Sequence, residues 1–263
     1  MPQVDTSRSS DALVIPDWPA PAQVRALVTT RRLPGNSLPP FDAFNLGLRS
    51  GESEAVVESN RALLVRALGL PSAPCWLRQV HGSDVATFDA PGATGDEERQ
   101  ADAAVTRAPG VVLAILTADC LPILLCAEDG SEIGAVHAGW RGLAAGVIEA
   151  CVTRLSTRPE NVIAWLGPAI GQASYEVGDE VRDAFVALSS SAGEAFAPTR
   201  PGHWHCNLYT LARQRLRTVG VTRIYGGGFD TLTDPRFYSY RRDGVQSGRF
   251  ATLIYRASVS FGK

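Results

Sequence analysis

Methionine, lysine and histidine are nearly missing from this chain of 263 residues: it has one Met, one Lys at its last position, and four His. Cysteine is sparse as well. The five thiols, Cys75, Cys120, Cys126, Cys151 and Cys206, are odd in number and scattered, which excludes a disulfide framework and fits a reducing compartment. Charge of one sign is not in excess either, since 25 basic residues face 27 acidic ones. That balance removes the electrostatic basis for binding nucleic acid or coating a membrane. The longest apolar runs, Val111–Leu116 and Leu121–Ala127, are short and split by Thr117-Ala118-Asp119, and the first eleven residues are polar. Neither a spanning helix nor a secretory leader is expected, and the expected location is the cytoplasm.

What is present supports a sizeable core, with 45% of residues hydrophobic. Residues 1–22, rich in Ser, Asp and Pro, read as a flexible leader, and residues 23–263 as one domain. Strand-like stretches fall at Val24–Thr30, Cys75–Val80, Val85–Phe88, Ala103–Thr106, Val111–Thr117, Leu121–Ala127, Ile133–His137, Val162–Leu166, Thr222–Tyr225 and Phe250–Tyr255. Helices are expected after Ser53, from Gly142 to about Leu155, near Asp179–Leu188, and from Asn207 to about Val219. A long run of strands without an internal repeat predicts a single α+β domain built on mixed or antiparallel sheet.

The scarcity of histidine makes each placement informative. Between Leu121–Ala127 and Ile133–His137 lies Glu128-Asp129-Gly130-Ser131, a plausible hairpin loop. If Ala127 faces Glu132, Pro122 faces His137, and Cys120 becomes its diagonal neighbour at roughly 7 Å between Cβ atoms. Such a pair can be a thiolate–imidazole couple, two ligands of one metal, or inert core neighbours. His81, at a predicted strand end before Gly82, is the natural third member of a tetrahedral site with two nitrogens, one sulfur and one position open. Asp119 is a candidate general base, an acceptor for a ligating imidazole, or a simple turn residue. Arg141, in His137-Ala138-Gly139-Trp140-Arg141-Gly142, suits an anion cradle. His203-Trp204-His205-Cys206 is a second metal candidate, because alternating histidines share a face in a strand, but it follows Pro201-Gly202 and predicts a mobile surface loop, with Trp204 as a lid. Ser239-Tyr240-Arg241-Arg242-Asp243 predicts a turn between terminal elements.

Taken in order, Thr30-Arg31, Asn45-Leu46-Gly47, Asn60-Arg61, Gln79-Val80-His81-Gly82, Ala101-Asp102-Ala103, Thr117-Ala118-Asp119-Cys120, His137 to Gly142, Gly167-Pro168-Ala169-Ile170-Gly171, Tyr175-Glu176-Val177 and Ser239 to Asp243 closely resemble the YfiH-type, polyphenol oxidoreductase laccase-domain family. The resemblance implies layered mixed sheets flanked by helices (α/β/β/α) and zinc held by His81, Cys120 and His137, with Cu2+ as an alternative occupant. It also implies purine nucleoside phosphorylase activity on adenosine, inosine and methylthioadenosine, with adenosine deaminase activity beside it. Purine nucleosides and phosphate would then be the partners of a monomer or homodimer. Position and residue type nominate Cys120, His137 and Asp119 as catalytic, Arg61 or Arg141 for phosphate, and Asn45 for ribose or base. One departure is Phe229-Asp230, where relatives often carry Cys-Thr. The rival readings are a Cys–His hydrolase or amidase editing a cell-wall peptidoglycan precursor, and a copper-dependent polyphenol oxidase side activity. A multicopper centre is excluded by counting, because four histidines are too few and Met1 is the only possible axial thioether.

Overall fold

Strands Leu121–Ala127 and Ile133–Ala138 are buried along their whole length, so the sheet that carries them must be covered on both faces. In the computed structural model, which describes residues 9–92 and 98–257, they form the middle of a six-stranded sheet. Its order is Arg223–Gly226, Val162–Leu166, Leu121–Ala127, Ile133–Ala138, Ala103–Thr106, Val85–Thr87. A five-stranded sheet lies against it, ordered Leu13–Val14, Val24–Thr29, Phe250–Arg256, Val112–Thr117, Pro74–Cys75. Both are mixed, antiparallel at the centre and parallel at one or both edges.

Period-2 alternation sorts the side chains between three apolar layers. Leu124, Cys126, Ala135 and Ile163 of the larger sheet meet Val28, Leu113, Ile115 and Phe250 of the smaller one. The opposite side of the larger sheet, with Ile123, Leu125 and Val136, is covered by helices Val147–Arg154 and Leu208–Thr218 through Ile148, Cys151, Leu211 and Leu216. The outer side of the smaller sheet receives helix Glu54–Leu68 through Leu64, packed with Phe44, Ala114 and Leu253. Helix, sheet, sheet, helix is the layered single α+β domain expected. Each fully buried Leu or Ile in these layers contributes about 1.5–3 kcal/mol.

Several local expectations change. Cys75–Val80 is not one strand: Pro74–Cys75 joins the five-stranded sheet and Leu77–Arg78 pairs with Arg99–Gln100. The helix expected up to Leu155 is two, Trp140–Ala144 and Val147–Arg154, separated by Gly146 at φ 88°. His203–Cys206 is no loop; it is the middle strand of a three-stranded sheet, between Glu176–Gly178 and Phe196–Arg200. Trp204 is anchored there, its indole N–H donating to Asp179 at 2.7 Å. The turn expected at Ser239–Asp243 is a short helix, Tyr240–Asp243, whose Arg242 N–H is capped by Ser239 Oγ. Within the expected leader, Leu13–Val14 pairs with Val28 and Thr29, while residues 1–8 lie outside the described residues.

Candidate metal centre

Two strand ends and one loop carry the chemistry. His137 pairs with Pro122 and Ala138 with Leu121, the register that the Glu128–Ser131 loop implies. Continuing past those pairs, Cys120 comes beside Gly139. His81 arrives from the loop after Leu77–Arg78 with its backbone at φ 62°. The donor atoms of His81, Cys120 and His137 all lie within 4.8 Å of one another, and Cys120 Sγ is 3.8 Å from His81 Nε2. A tetrahedral zinc with bonds of about 2.0–2.3 Å spaces its ligands roughly 3.3–3.8 Å apart, so this cluster of two imidazoles and a thiol fits such an ion after small side-chain adjustments.

Electrostatics prepare two of these groups, Cys120 and His137. Burial alone would push the Cys120 thiol up, but the imidazoles of His137 and His81 outweigh it and bring the thiol down to about 6. For His137 burial opposes the charged ring, yet Cys120 and Asp102 raise it to about 9. The other thiols go the opposite way: burial pushes Cys75 up to about 11 and Cys126, Cys151 and Cys206 up to about 12. Among the five cysteines, Cys120 is the one poised as a thiolate.

The remaining nominated residues fall in different places. Asp119, at φ 86°, binds a distant segment of the chain through both carboxylate oxygens, accepting from Thr231 Oγ1 at 2.7 Å and from Arg241 N at 2.6 Å. Its geometry braces the turn that presents Cys120, and the acceptor for the His137 imidazole is a residue to which the sequence reading gave no role, Asp102. Asn45 is fully buried and accepts from Gly47 N and Arg249 N while donating to Ser50 and Glu52. It builds the loop that holds Arg249, whose guanidinium lies in the field of Cys120 and Asp119. Arg61 is 6% exposed, with its donors on Leu46 O, Glu58 and Glu98 and its guanidinium over Trp76. Those four bonds engage most of its five N–H donors, and its charge is already met by Glu98.

Arg141 is placed otherwise. It is exposed, stacks on Trp140 at 4.5 Å, and lines a cleft of ≈ 400 Å³ together with Trp140, Tyr175, Arg200, His203 and Arg241. Tyr175 and Arg241 tie this cleft to the cluster: the Tyr175 hydroxyl, pushed up by burial, also feels Cys120, and Arg241 donates its backbone N–H to Asp119. Sequence reading missed Tyr175, His203 and Arg241 as wall residues. The signal for Tyr175 and Arg241 was their place in the segments Tyr175-Glu176-Val177 and Ser239 to Asp243; His203 stood out only as a metal candidate with His205, in a segment expected to be a loop.

Two stacked sheets between helical layers, with a cluster of two histidines and a cysteine at one end of the larger sheet beside a cleft lined by aromatic residues, arginines and the acidic Glu176 and Glu180, define an α+β protein with a candidate mononuclear metal site. The chain belongs to the family described as multi-copper polyphenol oxidoreductase laccase, which matches residues 25–257. It is 55% identical over 251 residues to a Xylella fastidiosa (strain 9a5c) protein called purine nucleoside phosphorylase, covering 92% of this chain and 96% of that one. It is 48% identical over 246 residues to Escherichia coli (strain K12) purine nucleoside phosphorylase YfiH, covering 92% and 98%. A crystal structure of a Neisseria meningitidis protein superposes with a TM-score of 0.88 at 38% identity, covering 94% of this chain and all of the other. No helix among the described residues is long and apolar enough to cross a membrane.

Proposed function

We propose that the protein is a zinc-dependent purine nucleoside phosphorylase acting on adenosine, inosine and methylthioadenosine, with adenosine deaminase activity at the same centre. The observation that carries this reading is the convergence of His81, Cys120 and His137 beside a cleft whose walls combine Trp140 and Tyr175 with Arg141 and Arg241. The names of the relatives support the substrate class. When bound, zinc supplies a Lewis acid that polarises a substrate atom or lowers the pKa of water.

The residues of the chain supply the rest. The faces of Trp140 and Tyr175 turned away from Arg141 and Arg241, which lie over the two rings, suit a purine ring. Arg141, whose guanidinium has no hydrogen-bond partner among the described residues, and Arg241 hold phosphate against the anomeric carbon. A phosphate oxygen forms the new bond to that carbon as the bond to the purine nitrogen breaks, and the base leaves carrying the proton that the hydrogen phosphate gives up. The phosphate role falls to Arg141 and Arg241 because Arg61 is already committed to Glu98. Asp119 keeps the Cys120 turn in place.

Assays of adenosine and inosine with and without phosphate test this reading. The expected result is free base plus ribose 1-phosphate only when phosphate is present, abolished by a chelator and restored by Zn2+. Base release that ignores phosphate contradicts it. A second reading, a Cys–His hydrolase or amidase, draws on one observation: Cys120, His137 and Asp102 also line up as thiolate, imidazole and carboxylate. That enzyme would keep its turnover in chelator and lose it to a thiol-specific electrophile.

A further inference from the structure

The carboxylate of Asp102 is completely buried, and every bond it makes leads to one of the two histidines or to the residues beside His81. Oδ1 accepts from His137 Nδ1 at 2.8 Å and from the backbone N–H of His81 at 2.9 Å. Oδ2 accepts from the backbone N–H groups of Gly82 at 2.7 Å and Val80 at 3.1 Å. Its own backbone is tied on both sides, donating N–H to Asp84 O at 3.1 Å and accepting from His137 N at 2.7 Å. One side chain therefore connects a strand end to the loop that delivers His81.

We infer that Asp102 is the positioning residue that preassembles the candidate metal centre, fixing both histidine ligands at once; the inference rests on the metal reading proposed above. Three physical consequences follow from its four bonds. First, an ionised carboxylate only accepts, so His137 keeps a proton on Nδ1 and Nε2 is the ring nitrogen free for a metal. Second, His81 stands at φ 62°, a left-handed conformation that is strained for a non-glycine residue. Three consecutive N–H groups collected by one carboxylate offset that strain and hold the loop in the shape that turns the His81 ring toward Cys120. Third, the charges close: one thiolate and one carboxylate balance a divalent cation held with two neutral imidazoles, which keeps the dication tolerable in a largely buried setting. Asp102 touches no substrate on this account and acts through the histidines.

Asp102→Asn is the informative variant. Whichever way the amide is turned, its NH2 faces two N–H donors, so either the His81 loop or the His137 ring loses its acceptor. Zinc affinity is measured by competition with a chromophoric chelator, on wild type and variant. The expected outcome is zinc binding 10–100-fold weaker in the variant. Variant affinity within about twofold of wild type overturns the assignment of Asp102 while leaving the metal reading standing, whereas wild type that binds no zinc overturns both. A second measurement needs no variant: long-range 1H–15N correlation of zinc-loaded wild type labelled at its four histidines. A slowly exchanging proton on His137 Nδ1 is expected, and a proton on Nε2 with Nδ1 free overturns the inference even if Asp102→Asn does not fold.

Discussion

Gly139 passes so close to His81 that a Cβ built at position 139 would lie 2.8 Å from the imidazole Cδ2, and 3.0 Å from Cys120 Sγ. The backbone there is ordinary, at φ −66° and ψ 160°, so the need for glycine is one of space. Gly139→Ala is expected to push His81 off the cluster and weaken zinc binding about tenfold or more, with little change in the melting temperature of the metal-free protein. Unchanged zinc affinity in a chelator competition would show that His81 does not pack against the strand end as described.

Selective alkylation checks the thiol electrostatics. Cys120 at about 6 is largely thiolate at neutral pH, while burial holds the other four near 11 or 12. Iodoacetamide applied to metal-free native protein should label Cys120 alone, with a rate that rises through half its plateau near pH 6. Zinc should protect it. Peptide mapping that finds a second thiol labelled at a similar rate would contradict the assignment.

Zinc affinity carries its own pH signature. In the metal-free protein His137 is raised to about 9 and Cys120 lowered to about 6, so between those values the pair is imidazolium and thiolate. Binding a metal there displaces the proton of His137, so affinity rises with pH and its slope corresponds to about one proton from this pair, levelling above pH 9. Below pH 6 the thiol proton must leave as well and the slope steepens. Calorimetry in two buffers of different ionisation enthalpy reads the proton count directly; no proton release at pH 7.5 would oppose the ionisation described.

The arginines separate by role. Arg141→Ala and Arg241→Ala should raise the KM for phosphate tenfold or more while leaving the fold intact, because both side chains face the cleft. Arg61→Ala should instead cost about 1–3 kcal/mol of stability, since it leaves the carbonyl of Leu46 unpaired and takes one of two arginines from Glu98, which keeps Arg49, with the phosphate KM of the folded enzyme unchanged. Phosphate saturation curves and denaturant melts on the three variants decide between these assignments.

The legibility of this site in the sequence followed the length of its loops. Glu128–Ser131 fixes a hairpin register locally, so Pro122 opposite His137, and hence Cys120 beside it, could be read by counting. Asp102 also sits next to His137, because Val136 pairs with Ala103 and the ladder runs one residue further. Counting could not reach that pair: Val112–Thr117 leaves for the other sheet in between, and no tight turn sets the register of Ala103–Thr106. A still longer separation sets Asp119 apart from Thr231 and Arg241, partners more than a hundred residues away that hold the candidate base in its turn. The layered fold was legible from strand spacing and helix caps, such as Asn207 accepting from Thr210 N at 3.0 Å, whereas His203–Cys206 became a strand because Glu176–Gly178 and Phe196–Arg200 flank it.

X-ray absorption at the zinc edge of the loaded protein tests the convergence of His81, Cys120 and His137 most directly. The account predicts one zinc per chain with one sulfur neighbour at about 2.3 Å and two imidazole nitrogens at about 2.0–2.1 Å, the sulfur vanishing in Cys120→Ala. A first shell of nitrogen and oxygen alone in the wild-type protein would contradict it.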